Sequence, residues 1–384
     1  MASPNVSTQN FDYIVIGSGT AGTTLAARLS EDPDIVVGVI EAGEHVTDML
    51  AVAVPGMAAM LAGNEKIDWK FKSVPQPHAD NRQISLPRGK AVGGSSVMNY
   101  MAWGRPTKEE YDAIEALGNP GWGWKGLLPY LMKAEGMIQP PEDLAKIYHT
   151  AGYTKDWHGQ TGPIKKSFPH WYNDLHVPFL ESTVKLGVPL NCNTGNGVNY
   201  GSFTGAFCVD AETATRSYAA TGYYEPNAGR KNLVLISQAQ ATRIILKPAE
   251  DGELVATGVE YIKDGQKAVI KASREVIISA GASAVREAKN LADCHTQTDG
   301  MLAFSQEKQR GMLSSMFSAY AFVSLEKAYE SKDKYDAFKR LLAADNSLGQ
   351  NAAEKQEYEF IKRWLSEPER SHLESVPSVD AGTS

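Results

Sequence analysis

Apolar residues crowd into short runs separated by glycine-rich or polar turns. "FDYIVIG" (11–17) is a β-rich run that ends in glycine, and "TAGTTLAARLSED" after it has helical composition. "IVVGVIEAG" (35–43) is a second apolar strand. Strand, glycine turn, helix and strand in that order predict a βαβ unit with a parallel pair. From 46 to 83 the pattern breaks into short pieces, and "VPQPH" marks an extended loop. "GNPGWGWKGLLPYLMKAEG" predicts a turn and then a short helix, with Trp122, Trp124, Leu127, Leu128 and Leu131 available for packing.

Between 232 and 281 lie five strand-like runs: "NLVLIS", "ATRIILK", "VATGVEYIK", "KAVIKA" and "REVIISAG". Asp-Gly pairs in "KDGQK" and "PAEDGEL" are hairpin signals between them. "EVIISAG" is almost wholly apolar, which suits a strand buried on both faces of a central sheet. Beyond about residue 300, "LEKAYESKDKYDAFKRLLAADN" and "EKQEYEFIKRWLSEPER" read as charged amphipathic helices. "SVPSVDAGTS" reads as a frayed tail.

Composition narrows the function classes. A chain of 384 residues with 42% hydrophobic and 22% charged residues is expected to form about two globular domains. A net charge of −7 argues against non-specific nucleic-acid binding, which needs a basic field. No apolar run approaches the roughly 20 residues that span a bilayer. "MASPNVSTQNFDY" lacks the basic and apolar regions of a secretory signal. Cys192, Cys208 and Cys294 are odd in number and widely spaced, fitting thiols in a reducing compartment; no pair has zinc-ligand spacing, and no metal site is expected. The expectation is a soluble cytoplasmic protein.

The first chemical motif is "GSGTAG" (17–22), between strand and helix. Gly17 permits a tight turn, Gly19 lets the backbone approach a pyrophosphate, and Gly22 allows close helix–strand packing. The helix N-terminus then offers N–H groups to phosphates. Glu41 closes the second strand about twenty residues on, where a carboxylate can accept both hydroxyls of an adenosine ribose. These residues leave NAD and FAD both open, and the plainer alternative is a simple turn with a solvated Glu41.

The second motif is "RGKAVGGSSVMNYMAWGRPTKEEYD" (88–112). Paired glycines and serines make a backbone that can lie against a cofactor. Asn99 can donate and accept, while Arg88 and Lys90 add positive charge near phosphates. By itself such a loop is more often a flexible turn.

Together, "DYIVIGSGTAG", "VIEAG", "RGKAVGGSSVMNYMAWGR" and "GNPGWGWKGLLPYLMKAE" resemble the glucose–methanol–choline (GMC) family of flavoproteins. "GPIKKSF", "TRSYAATGYYEP" and "NLVLISQAQATRII" follow in the expected order, so the likeness covers roughly 11–281. The resemblance implies an α/β fold: a Rossmann-like FAD-binding domain, with a parallel sheet and an antiparallel meander, beside an α+β substrate or cap domain. The implied division is 10–136 with 228–284, carrying a lid-like insertion at 46–83, and 137–227 with 285–384 as an incomplete substrate domain. The implied activity is oxidation of the CH–OH group of primary alcohols or sugars by hydride transfer to flavin N5.

By the same resemblance, Gly17, Gly19, Thr20, Ala21 and Gly22 hold the pyrophosphate, and Glu41, with Ala42 beside it, takes the ribose. Arg88 is expected near the phosphates. Gly94, Ser95, Asn99, Met101 and Ala102 lie along the ribityl chain and flavin ring, and Ala241 meets the adenine. Some relatives attach the flavin through a histidine in this loop; residues 89–105 contain none, which implies non-covalent FAD.

The resemblance breaks after "EVIISAG". "GASAVREA" keeps a Gly-Ala and loses the rest of the family's second signature, while "KNLADCH" resembles an element normally a few dozen residues later. The stretch reads as a seam between two family segments, although Val285, Ala288 and Leu291 also have helical spacing. The family's C-terminal histidine, which serves or supports the base, has no counterpart; His295 and His372 lie in unlike contexts. His170 and His176 flank "HWYNDLH" and are the remaining candidates, with His295, for a replacement base. The chain is expected to stop inside the substrate domain. Two readings follow: an FAD-dependent alcohol oxidase or dehydrogenase, or a truncated FAD-binding pseudoenzyme or non-redox homologue whose uncovered apolar surface favours oligomers.

Overall fold

Strand β1 (Asn10–Ile16) and helix α1 (Thr20–Leu29) flank the first glycine turn, and β2 (Val37–Ile40) returns parallel to β1, pairing Ile14 with Gly38 and Ile16 with Ile40. The expected βαβ unit is therefore present. The computed structural model describes residues 9–249 and 253–281, with the shorter pieces 319–323, 332–344, 359 and 373–375. They fall into two compact units, one drawn from Met1–Met101 and Ala214–Gln309 and the other from Ala102–Thr213 and Arg310–Ser384.

The first unit is built on a six-stranded sheet. Its further strands are β3 (Leu233–Ile236), β4 (Ala239–Pro248), β5 (Leu254–Lys263) and β6 (Gln266–Ile278), in the spatial order β3-β2-β1-β6-β5-β4. β3, β2, β1 and β6 run parallel where they pair, and β4, β5 and β6 form an antiparallel meander. The turn between β5 and β6 uses Asp264 (φ 52°) and Gly265 (φ 73°), so "KDGQK" forms the tight hairpin that its Asp-Gly pair predicts. The "PAEDGEL" signal includes 250–252, outside the described residues.

Two features differ from expectation. "KAVIKA" and "REVIISAG" are a single strand of 13 residues, so the five runs make four strands. The first half of β6 pairs with β5 and the second half with β1, and the polar residues between them are used at the join. Ser273 Oγ donates to Asp12 Oδ1 at 3.1 Å, and Arg274 Nε lies 3.2 Å from the same oxygen. Second, "EVIISAG" pairs with β1 and not with β5, and it is not buried on both faces among the described residues. Val276 and Ile277 pack against the two cores, while Ile278 is 57% exposed.

Apolar alternation explains the two cores of this sheet. Val15, Val37, Val39 and Leu233 pack with Ala26 of α1 on one side. Phe11, Ile14, Ile40 and Ile236 meet Val259, Tyr261 and Ile270 of the meander on the other.

The second unit is mixed. Helix Lys108–Ala116 opens with a capping box: Thr107 Oγ1 accepts from the Glu110 N–H, and the Glu110 carboxylate accepts from the Thr107 N–H at 2.6 Å. Helix Trp124–Ala134 buries Trp124, but Trp122 sits in the preceding turn and is 58% exposed. Glu135–Met137 runs parallel to Ile164–Lys166, and Gly201–Thr204 pairs with Ala319–Val323. Helix Lys332–Ala344 occupies the first of the two charged C-terminal runs. The seam at 282–295, His295, His372 and nearly all of the second run lie outside the described residues.

Candidate functional site

The glycine turn, the end of β2 and the Gly93–Gly94 loop converge at one end of the parallel strands. Gly17 holds φ at +93°, a left-handed value, and a Cβ there would lie 2.8 Å from the Ser279 carbonyl oxygen. A Cβ on Gly22 would collide with the Gly17 carbonyl, so this glycine sets the close approach of α1 to the turn. Gly19 is different. It precedes α1 in extended conformation, and an added Cβ would find no atom nearer than 3.9 Å. The space above the turn is open, Thr20 and Ala21 are exposed, and first-turn N–H groups of a helix have no intrahelical acceptor.

Glu41 is 6% exposed and closes one side. Its Oε2 accepts from the Ser18 N–H (2.8 Å) and Ser18 hydroxyl (3.0 Å), and its Oε1 accepts from the Gly43 N–H (2.8 Å). Burial raises the Glu41 carboxyl above its usual range, opposed by those hydrogen bonds and by the charge of Lys90. Ala42 is half-buried between these two anchored positions. From the other side, the Gly93 N–H donates to the Ser18 carbonyl at 2.7 Å, and a Cβ on Gly94 would sit 2.6 Å from the Gly19 Cα. Start and end of the motif pair are thus in contact. The Ala239 N–H donates to the Glu41 carbonyl at 2.8 Å, which places Ala241 two positions along β4 from the same corner.

These residues fit a dinucleotide: a glycine cradle that one Cβ would fill, a helix N-terminus, and a carboxylate with each oxygen held in place. Ser95 is exposed, and its Oγ accepts from the Gly89 N–H at 3.2 Å. Asn99 is exposed, and its Oδ1 accepts from the Met101 N–H at 3.1 Å. Arg88 turns its guanidinium to the Pro87 carbonyl (2.7 Å), while its N–H is held by buried Asp68 at 3.0 Å. The Lys90 ammonium stands 4.9 Å over the Trp69 ring, a cation–π contact. Ala102 belongs to the second unit, where it bridges to Phe207.

Sequence reasoning overlooked two arrangements. Ser18 lies inside the quoted glycine motif and binds Glu41 twice. In the second unit, buried Glu135 gathers Arg105 Nη2 (2.6 Å), Lys166 Nζ (2.6 Å), His158 Nδ1 (3.2 Å) and the Gly159 N–H (3.1 Å). Burial pushes the Glu135 carboxyl up, but the His158 hydrogen bond and the Lys166 and Arg105 charges outweigh it and hold the group at about 2. Burial pushes the Lys166 ammonium down against the pull of Glu135. Of the three candidate bases, His170 and His176 are engaged, and His295 lies outside the described residues. His170 Nε2 meets the Ala211 carbonyl at 2.8 Å, and buried His176 places Nε2 2.8 Å from Thr204 Oγ1. Burial, with a smaller contribution from His149, lowers His176 to about 4.

The family profile described as GMC oxidoreductase matches residues 11–285. The chain belongs to the GMC oxidoreductase family. A dehydrogenase of Monascus ruber, citC, is 39% identical over 276 residues, which are 71% of this chain and 43% of that protein. The chain thus spans less than half the length of that curated relative. Among solved structures, pyridoxine 4-oxidase from Mesorbium loti matches with a TM-score of 0.61 and 29% identity, over 71% of this chain and 50% of that one. An FAD-dependent oxidoreductase from Chaetomium thermophilum matches with a TM-score of 0.80 over 94% of this chain and 71% of that one; at 23% identity, this likeness speaks to the fold. No helix among the described residues is long and apolar enough to cross a membrane.

Proposed function

We propose that this GMC oxidoreductase binds FAD non-covalently in the first unit and oxidises the CH–OH group of a primary alcohol or sugar. The observation that carries the reading is the contact of the Gly17–Gly22 turn with both Glu41 and the Gly93–Gly94 loop. In the assignment proposed here, Gly17, Gly19, Thr20, Ala21 and Gly22 receive the pyrophosphate, Glu41 and Ala42 the ribose, and Ala241 the adenine. Gly94, Ser95, Asn99 and Met101 serve the ribityl chain and ring, with Arg88 near the phosphates. Bound FAD supplies the two-electron acceptor; the chain binds it, orients it and excludes water. Residues 89–105 offer no histidine for a covalent link.

A second reading, an FAD-binding homologue without alcohol oxidation, is favoured by one observation: His170 and His176 are both committed to oxygen partners within the second unit. Absence of a positioned base lowers the rate by roughly 10²–10⁴-fold. A visible spectrum of the purified protein, followed anaerobically with a panel of primary alcohols, separates the readings. A flavin spectrum that bleaches supports the first, and one that stays oxidised supports the second. Protein that neither retains nor rebinds FAD overturns both.

A further inference from the structure

Arg216 is 3% exposed and lies in the same unit as the glycine turn, between two separate segments. Its Nε donates to the Val52 carbonyl (2.8 Å), in the short helix Leu50–Ala53. Its Nη1 reaches three oxygens on the loop after Gly93–Gly94: the Ser96 carbonyl (3.2 Å), the Asn99 carbonyl (2.7 Å) and Asn99 Oδ1 (2.7 Å). The following residues grip the same loop, since Ser96 Oγ donates to the Gly93 carbonyl (2.6 Å) and accepts from the Ala219 N–H (3.2 Å).

Asn99 Oδ1 therefore accepts from two donors, Arg216 Nη1 and the Met101 N–H. Exchanging the amide oxygen and nitrogen would set an NH₂ group against both, so the amide has one allowed orientation. Its Nδ2 is left as a donor on an exposed residue. Met101, next but one along the chain, is fully buried at φ +61°. A non-glycine residue keeps that conformation only where its surroundings over-determine it. The Arg216–Asn99 pair supplies that constraint.

Resting on the FAD reading above, the geometry points to Arg216 as a positioning residue that fixes the 96–101 segment and turns the Asn99 amide to offer its Nδ2–H to the bound flavin. Two separable consequences follow. Arg216→Lys keeps a positive charge but cannot reach the Val52 carbonyl and the three loop oxygens together. Asn99→Asp keeps an oxygen for Arg216 and for the Met101 N–H, yet replaces the offered donor by an acceptor.

The test follows amide hydrogen exchange across 91–105 in wild type and both variants, without and with FAD, alongside FAD affinity from fluorescence quenching and the visible circular dichroism of the flavin. In R216K without FAD, amides at 96–101 exchange about tenfold faster, as expected for losing a hydrogen bond to a charged group, and those of β1 and β2 are unchanged. R216K also weakens FAD binding. In N99D the loop stays protected, but FAD affinity falls about tenfold and the visible dichroism changes. Wild-type exchange over 96–101 in R216K, or wild-type FAD affinity and dichroism in N99D, overturns the assignment. Should R216K fail to fold, Asn99→Ala decides: faster exchange at Met101 supports it and unchanged protection overturns it. Failure of wild type to bind FAD is a separate result that sinks the FAD reading, and the exchange comparison then still decides whether Arg216 holds the loop.

Discussion

Ser18 donates both its backbone N–H and its hydroxyl to one oxygen of Glu41, at 2.8 and 3.0 Å. The first glycine turn and the end of β2 are thereby locked before any ligand arrives, and the carboxylate is fixed in position. Glu41→Ala leaves these two donors and the Gly43 N–H without their acceptor in a buried site, which should destabilise the fold by about 1–3 kcal/mol. The same change should weaken FAD retention, because the carboxylate proposed to take the ribose is gone. Urea denaturation of the apo-protein and FAD titration measure the two effects separately. Unchanged FAD affinity would refute the ribose assignment.

The second and third glycines of the motif should part company under substitution. Gly22→Ala drives a Cβ into the Gly17 carbonyl and should destabilise the unit with or without cofactor. Gly19→Ala meets no atom nearer than 3.9 Å and carries no positive φ. It should leave the apo melting temperature almost unchanged and abolish tight FAD binding, since its methyl fills the space over the turn. Calorimetry with and without FAD reads both, and full FAD affinity in Gly19→Ala would place the pyrophosphate elsewhere.

The sequence made the βαβ unit legible because its signals are local: an apolar run, three glycines at fixed offsets and a helical stretch. The Asp264-Gly265 hairpin was legible for the same reason. β6 reads as two strands in the sequence because Ser273, with the polar Arg274 beside it, looks like a break between "KAVIKA" and "REVIISAG". Only their contact with Asp12, far away in the chain, shows them completing a continuous strand. The Glu135 cluster was hidden for a similar reason: Arg105, Glu135, His158 and Lys166 come from stretches that share no local pattern, and burial brings them together. Arg216 stood inside a quoted motif, but nothing in its neighbours reveals that its partners are Val52, Ser96 and Asn99.

His176 should stay neutral well below the usual imidazole range. Burial lowers its folded value to about 4 from 6.5, so the unfolded chain takes up the proton first. The stability this group contributes is fully present above 6.5 and is lost as pH falls from 6.5 towards 4. Nitrogen-15 NMR of histidine-labelled protein should show its midpoint near 4. A midpoint near 6.5 would mean that the ring is hydrated rather than packed against Thr204, and would return it to the list of bases working near neutral pH.

Glu135 makes the sharpest stability prediction. It is one carboxylate facing Arg105 and Lys166 at 2.6 Å each, with no solvent to spread their charge. Replacing a buried ion pair by apolar groups is often tolerated, but removing one partner strands the others, at about 3–5 kcal/mol. Glu135→Gln should therefore cost about that much, and adding Lys166→Met should recover part of it by removing one stranded cation. The pH signature is distinct. The folded carboxyl titrates at about 2 against 4.5 in its unperturbed state, so an unfolded chain binds the proton first on acidification. The stability it contributes is intact above 4.5 and drains away as pH falls towards 2. Wild type should lose stability steeply across that window in chemical denaturation, while Glu135→Gln, already weakened, should be flatter there. Equal slopes in the two proteins would mean that the charges around Glu135 are compensated by water and that the cluster does not hold the second unit together.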